Sequence, residues 1–171
     1  AVPLRHRVPT AGYLFKEKQP GRNVDKFKIE KYGLSIAQIV AAKRGEDITL
    51  EDGQIIPNDE LTYIPYQARS YAYLSDTAYS AKAAERVHGV DLLYHETTYS
   101  TSEAMFAKGR GHSTTIEAAK VAAKAEAKKL IIGHFSSRYK SHETLVEECR
   151  TIFPNSDIAA EGMTFNIEEK R

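Results

Sequence analysis

Side chains able to do chemistry fall at one recurring kind of place in this sequence. Asp76 follows the apolar run 71–74, the pair His95-Glu96 closes the run 90–94, and His134 follows the run 130–133. Imidazole and carboxylate are natural zinc ligands, and a carboxylate has two oxygens with which to bridge two ions. A histidine beside a carboxylate is also the usual pair for moving a proton. One histidine behind a strand is commonly a hydrogen-bonded structural group, but three such positions together read as a site. Two further histidines join the candidates. His6 lies between Arg5 and Arg7, and His112 follows Gly109-Arg110-Gly111 at the start of a helix. His88, before Gly89 at a helix end, reads as structural, and His142, after Ser141, reads as solvent-facing.

The elements that must position these groups alternate in type. Apolar runs predict strands near 12–16, 71–74, 90–94 and 130–133, with a last one near 163–167. Helical spacing predicts helices over 36–43, 83–88, 114–129 and 143–153. In the third of these, Ile116, Ala119, Ala123 and Ala127 form the expected apolar face, and in the fourth Cys149 falls on the buried side. Asp52-Gly53 marks a two-residue hairpin between 48–50 and 54–56. Strands alternating with helices of this length argue an α/β fold with parallel pairing, and such sheets gather ligands outside the carboxyl ends of their strands.

Composition removes several function classes. Of 171 residues, 42% are hydrophobic and 27% charged, which is globular and excludes a fibrous or disordered chain. No apolar run approaches the ~20 residues that cross a bilayer. A single cysteine excludes an intrachain disulfide and a Cys-rich zinc module, and fits a reducing compartment. The net charge of +1 excludes a surface uniformly attractive to polyanions, although it hides basic blocks at 1–31 and 103–140 and acidic ones at 46–60 and 141–171. Such blocks are ordinarily solvated faces. The sequence opens at Ala1 with Val-Pro-Leu-Arg, which predicts a piece of something longer.

Taken as motifs, residues 3–13 (Pro-Leu-Arg-His-Arg-Val-Pro-Thr-Ala-Gly-Tyr), Leu74-Ser75-Asp76-Thr77, His95-Glu96-Thr97-Thr98, His112-Ser113-Thr114 and Gly133-His134-Phe135-Ser136-Ser137-Arg138-Tyr139 resemble ribonuclease Z. The resemblance runs in order across nearly the whole chain, and the last two elements are specific to that family. It implies half of a metallo-β-lactamase-type αββα sandwich. It also implies a zinc-dependent endonuclease that trims the 3′ trailer from precursor tRNA by two-metal phosphodiester hydrolysis. By the same resemblance His6, Asp76 and His134 are metal ligands, with Asp76 shared by two zincs. Glu96 and His112 deliver a proton to the leaving 3′ oxygen, and Arg138, with Ser136, contacts substrate. A cytoplasmic homodimer is implied as well.

Departures from the family pattern carry their own expectations. The superfamily's His-x-His-x-Asp-His motif is absent from these residues. The 171 residues are therefore expected to be the C-terminal part of a longer chain, lacking its N-terminal half, or to be completed by a separate chain, and to be inactive alone. Residues 19–60 occupy the place of a substrate-gripping arm but lack its Gly-Pro run. Thr97 stands where the family commonly has Ala, and Glu161-Gly162 replaces a common Asp-Gly. The competing readings are a metallo-β-lactamase-fold hydrolase of small phosphodiesters and a non-catalytic fragment that binds RNA or a partner.

Overall fold

In a computed structural model, which describes residues 1–169, the chain forms two units. Residues 1–16 and 69–167 make one, and residues 17–68 with 168–169 the other. The first is built on six strands, Val2–Pro3, Ala11–Lys16, Ser70–Leu74, Leu92–Glu96, Lys129–Gly133 and Ser156–Ile158, hydrogen-bonded in that order. The first two junctions are antiparallel and the last three parallel. A parallel pair needs a crossover. The helices Ala81–Arg86, Thr115–Lys124 and Glu143–Arg150 supply one between each successive pair. The register sets Leu74 opposite His95 and Glu96 opposite Gly133, so the carboxyl ends of three strands meet at one edge.

Side chains alternate along each strand and thereby sort into two faces. Ala72, Leu74, Leu93, Leu130 and Ile132 pack with Val87, Val121, Leu145, Val146 and Cys149 from the helices into one buried core. The other face carries Tyr13, Phe15, Tyr71, Tyr73 and Tyr94, with the Tyr73 and Tyr94 rings stacked at 4.6 Å. Tyr13 and Phe15 are more than half exposed there.

Two sequence expectations fail in this unit, each for a tertiary reason. The helix at 115 begins where expected, with a capping box. The Thr114 hydroxyl accepts the Glu117 N–H at 3.3 Å, and Glu117 accepts the Thr114 N–H at 3.0 Å. It ends at Lys124 rather than 129, because the Lys128 N–H is drawn to the Val90 carbonyl (3.0 Å) and Lys129 pairs with Leu92 in the sheet. Its buried face is accordingly Ala118, Ala119, Val121 and Ala122, and Ala123 is exposed. The strand expected at 163–167 is irregular. The sheet edge is taken instead by Ser156–Ile158, continued by the Ala159 N–H on the Ile132 carbonyl at 2.8 Å.

The second unit has its own core of Val24, Leu34, Ala42, Ile48, Ile56 and Leu61. Around it lie helices Lys26–Tyr32 and Ile36–Lys43, the strand pair Asn23–Val24 with Thr62–Tyr63, and a hairpin of Ile48–Thr49 with Ile55–Ile56. The hairpin turns through three residues, not two. The Gly53 N–H returns to the Leu50 carbonyl at 3.0 Å with φ of 86°, a conformation open to glycine, and Leu50 then pairs with Gln54. Buried Asn58 ties the unit together by donating to the carbonyls of Ala42 (2.7 Å) and Glu46 (2.9 Å).

Candidate active site

Asp76 and His134 leave their strands with positive φ, 50° and 60°. Non-glycine residues rarely adopt this region, at a cost of about 1–3 kcal/mol each, and such strain persists where surrounding contacts over-determine it. Those contacts are visible. The loop carrying His6 is pinned to the loop after Leu74 by the Arg5 N–H on the Thr77 hydroxyl (3.1 Å), the Ala78 N–H on the Arg5 carbonyl (2.7 Å) and the Thr10 hydroxyl on the Asp76 carbonyl (3.4 Å). The Ser113 hydroxyl donates to the Thr77 carbonyl at 2.6 Å, which brings the His112 loop to the same edge.

At the centre is Glu96, fully buried. Its Oε1 accepts the Thr77 N–H (2.9 Å) and His112 Nδ1–H (2.8 Å), and its Oε2 accepts the Thr98 N–H (3.0 Å) and hydroxyl (2.6 Å). A carboxylate only accepts, so the proton positions follow from these contacts. His112 carries its proton on Nδ1 and keeps Nε2 free. Thr98 gives its single proton to Glu96, so at 2.9 Å its oxygen accepts from His134 Nδ1–H, and His134 Nε2 is turned toward Asp76. His6 Nδ1 donates to the Gly111 carbonyl at 2.8 Å, which frees its Nε2 as well. Imidazoles whose second nitrogen is held this way are oriented for ligation.

The donor set fits a small cation. Asp76, His112 and His134 offer ligand atoms all within 4.8 Å of one another. His134 Nε2 and Asp76 Oδ1 are 3.2 Å apart, close to the ~3.3 Å between two donors that each sit about 2.0 Å from one tetrahedral zinc. His112 Nδ1, 3.9 Å from the same oxygen, is already committed to Glu96. The His6 ring lies 4.9 Å from that of His112, and the His134 ring 5.4 Å from it.

Arg138 sits at the rim. Its Nε donates to the Ser136 hydroxyl at 3.1 Å, its Nη1 is paired with Glu103, and its guanidinium lies 5.1 Å over the Tyr99 ring. The Tyr139 hydroxyl also donates to Glu103. These bonds from Tyr139 and Arg138 hold the Glu103 carboxyl below its ordinary range. Of the residues singled out from the sequence, His6, Asp76, Glu96, His112 and His134 are brought together, and Ser136 and Arg138 border them. His95 is not. It points to the helix side of the sheet, fully buried, with Nδ1 on the Glu96 carbonyl at 2.7 Å and, among the described residues, no partner for Nε2. Burial pushes its imidazole below the ordinary histidine range. Thr98 and Thr77, which orient Glu96, His112 and His134, were missed as functional residues, since in a sequence a threonine after a strand reads only as a turn.

Comparison with known proteins identifies what the chain is similar to. Residues 24–135 match the family model described as the β-lactamase superfamily domain. The chain is 43% identical over 167 residues to Ribonuclease Z of Phocaeicola vulgatus and 40% identical over 166 residues to Ribonuclease Z of Bacteroides thetaiotaomicron. These alignments cover 98% and 97% of this chain but 54% and 52% of those proteins, so the chain spans about half the length of the curated relatives it matches. The crystal structure of the metallo-β-lactamase fold protein YhfI from Bacillus subtilis superposes with a TM-score of 0.54 at 24% identity, covering 57% of this chain and 40% of that one. The fold is thus of the metallo-β-lactamase type.

Proposed function

The chain belongs to the β-lactamase superfamily, and on that premise we propose that it carries the proton-transfer residues and part of the metal site of a zinc-dependent endoribonuclease removing the 3′ trailer from precursor tRNA. The observation that carries the reading is His112, its Nδ1 held by buried Glu96 and its Nε2 free, beside Asp76 and His134. His6, Asp76 and His134 would hold metal. When bound, zinc supplies Lewis-acid stabilisation of charge on the phosphodiester and acidifies water near neutral pH. An alkoxide leaves poorly without a proton, and His112, once its Nε2 has taken a proton to become the imidazolium, is the group placed to give that proton to the departing 3′ oxygen. Glu96 keeps the imidazole in the required tautomer and stabilises the imidazolium, and Thr98 fixes Glu96 and His134 in register. Arg138 offers a backbone phosphate the guanidinium N–H groups that Glu103 and Ser136 do not take.

Catalytic zinc sites take about three protein ligands each. His6, Asp76 and His134 fall short of two such sites, so the remaining ligands come from outside these residues, and the segment alone is inactive. The half-exposed tyrosine face of the sheet is the surface against which the second sheet of the sandwich packs. Residues 19–60, within the unit that has its own core, are the substrate arm. On the same reading the enzyme acts in the cytoplasm as a homodimer. Among the described residues no helix is long and apolar enough to cross a membrane. The deciding experiment gives end-labelled precursor tRNA to the full-length protein, with and without chelator, beside H112A and H134A. Cleavage 3′ to the mature end, lost in each variant and on chelation, supports the reading. Hydrolysis of bis(p-nitrophenyl) phosphate without cleavage of RNA would replace it with a small-diester hydrolase.

A further inference from the structure

A short helix, Ala104–Arg110, precedes the His112 loop and buries only Ala107. Its Phe106 is 53% exposed, and neighbouring Met105 83%. A lone exposed aromatic is unremarkable, but this one is set among fixed cations. The Arg138 guanidinium lies 5.5 Å from the Phe106 ring centre and that of Arg110 lies 5.9 Å from it. Neither cation swings freely. Arg138 is held by Glu103 and Ser136, and Arg110 donates to the Tyr99 hydroxyl at 2.8 Å. Arg138 also lies over Tyr99, whose ring is 6.2 Å from that of His112. A continuous series of ring, cation and ring therefore runs from the proton-donating imidazole outward to Phe106.

We propose that Phe106 is a stacking platform for an unpaired RNA base next to the scissile phosphodiester, with Arg138 and Arg110 neutralising the phosphates that flank that base. This rests on the nuclease reading and extends it to a base-binding subsite. A phosphate contact needs no aromatic face, and a protein-docking patch favours an apolar surround over two guanidinium groups held against the ring. An exposed ring between fixed cations suits a base with phosphates on either side, and stacking accepts any base because every base has a π-face. The base must be unpaired, since a base inside a helix already has both faces covered.

The test uses the full-length, metal-loaded protein and two precursors, one intact and one with an abasic nucleotide beside the cleavage site. Phe106→Ala raises KM for the intact precursor about tenfold, the size of one base–aromatic stack, with the loss on KM rather than kcat, and Phe106→Trp restores it. The abasic precursor costs the wild type a similar factor and costs Phe106→Ala nothing more. An unchanged KM in Phe106→Ala overturns the proposal. So does an equal additional loss on the abasic precursor, which would make Phe106 structural or part of a protein interface. If no precursor is cleaved, the nuclease reading itself fails. Quenching of a single-stranded RNA carrying 2-aminopurine, present in wild type and absent in Phe106→Ala, then decides the subsite separately.

Discussion

Replacing Thr98 by Val removes one hydroxyl and keeps the shape, which makes it the sharpest probe of the site. That hydroxyl donates to Glu96 Oε2 at 2.6 Å and accepts from His134 Nδ1 at 2.9 Å. Glu96 is fully buried, so no water replaces the lost donor, and Oε2 keeps only the Thr98 N–H at 3.0 Å. A hydrogen bond to a charged group contributes about 1.5–3 kcal/mol. A loss near 2 kcal/mol lowers Tm by about 4–8 °C in a chain of this length. His134 is exposed, so water satisfies its Nδ1, but its tautomer and ring orientation are no longer fixed, and zinc affinity falls about 10–100-fold. Urea unfolding and zinc competition against a chromophoric chelator measure the two effects on the same protein. Thr98→Ser recovers both. In a His134→Ala background Thr98→Val costs stability but no further zinc affinity, because, of the proposed ligands His6, Asp76 and His134, it is the His134 imidazole that the hydroxyl holds. Unfolding of Thr98→Val within about 0.5 kcal/mol of wild type, the level of an inert surface change, would refute the buried-acceptor argument, and an undiminished zinc affinity would refute the orientation argument.

Three other outcomes follow from the same structure. Burial holds His95 below its ordinary range, so the fold keeps it neutral while the unfolded chain binds a proton below pH ~6.5. Its share of stability is therefore intact above that pH and lost as pH falls below it, and urea unfolding between pH 7.5 and 5.5 should decline less steeply in His95→Leu than in wild type. Parallel declines would count against it. Cys149 is buried against the Thr115 carbonyl, and burial pushes its thiol up to about 12, so iodoacetamide at pH 8 should modify it only in the urea-unfolded chain. Rapid labelling of the native protein would contradict this. Gly111 has φ of 77°, and a Cβ there would meet His6 Nδ1 at 3.0 Å; Gly111→Ala should cost about 1–2 kcal/mol and weaken zinc binding in the same competition assay, and a variant matching wild type in both would show that His6 needs no such support.

Much of the fold was legible because its strands are apolar runs bounded by turns. The helix Ile36–Lys43 was visible from its spacing and Cys149 from its place on an apolar stripe. What local pattern missed was imposed from elsewhere. The helix after Thr114 ends at Lys124 because residues 128 and 129 are claimed by the sheet, a demand of Val90 and Leu92 that helical spacing does not contain. Separating His95 from Glu96 was within reach of the sequence. Neighbours on a strand face opposite ways, so only one of the pair could join Asp76 and His134. The contact between Glu96 and His112 was anticipated from resemblance rather than from spacing. The part played by Thr98 was not, since it depends on three acceptors and donors that meet only when two strand ends and a loop are folded together.

The positive φ of Asp76 and His134 also bears on how metal binding and folding are coupled. In a zinc finger the ligands converge only because the ion holds them, and the apo chain is unfolded. Here protein contacts reach both strained residues. The Asp76 carbonyl is held by Thr10 and the His134 ring by Thr98, and the strand ends are already fixed by the parallel register of Glu96 with Gly133. On the proposed reading the protein itself builds the wall of the site, and bound zinc would add stability by mass action, about 2.7 kcal/mol at a hundredfold excess over Kd. The full-length protein treated with chelator should keep its far-UV circular dichroism and its cooperative unfolding transition, and Tm should rise with free zinc in the logarithmic manner of a simple ligand. Loss of secondary structure on chelation would show instead that the ion, and not the hydrogen bonds around Glu96, holds Asp76 and His134 in place.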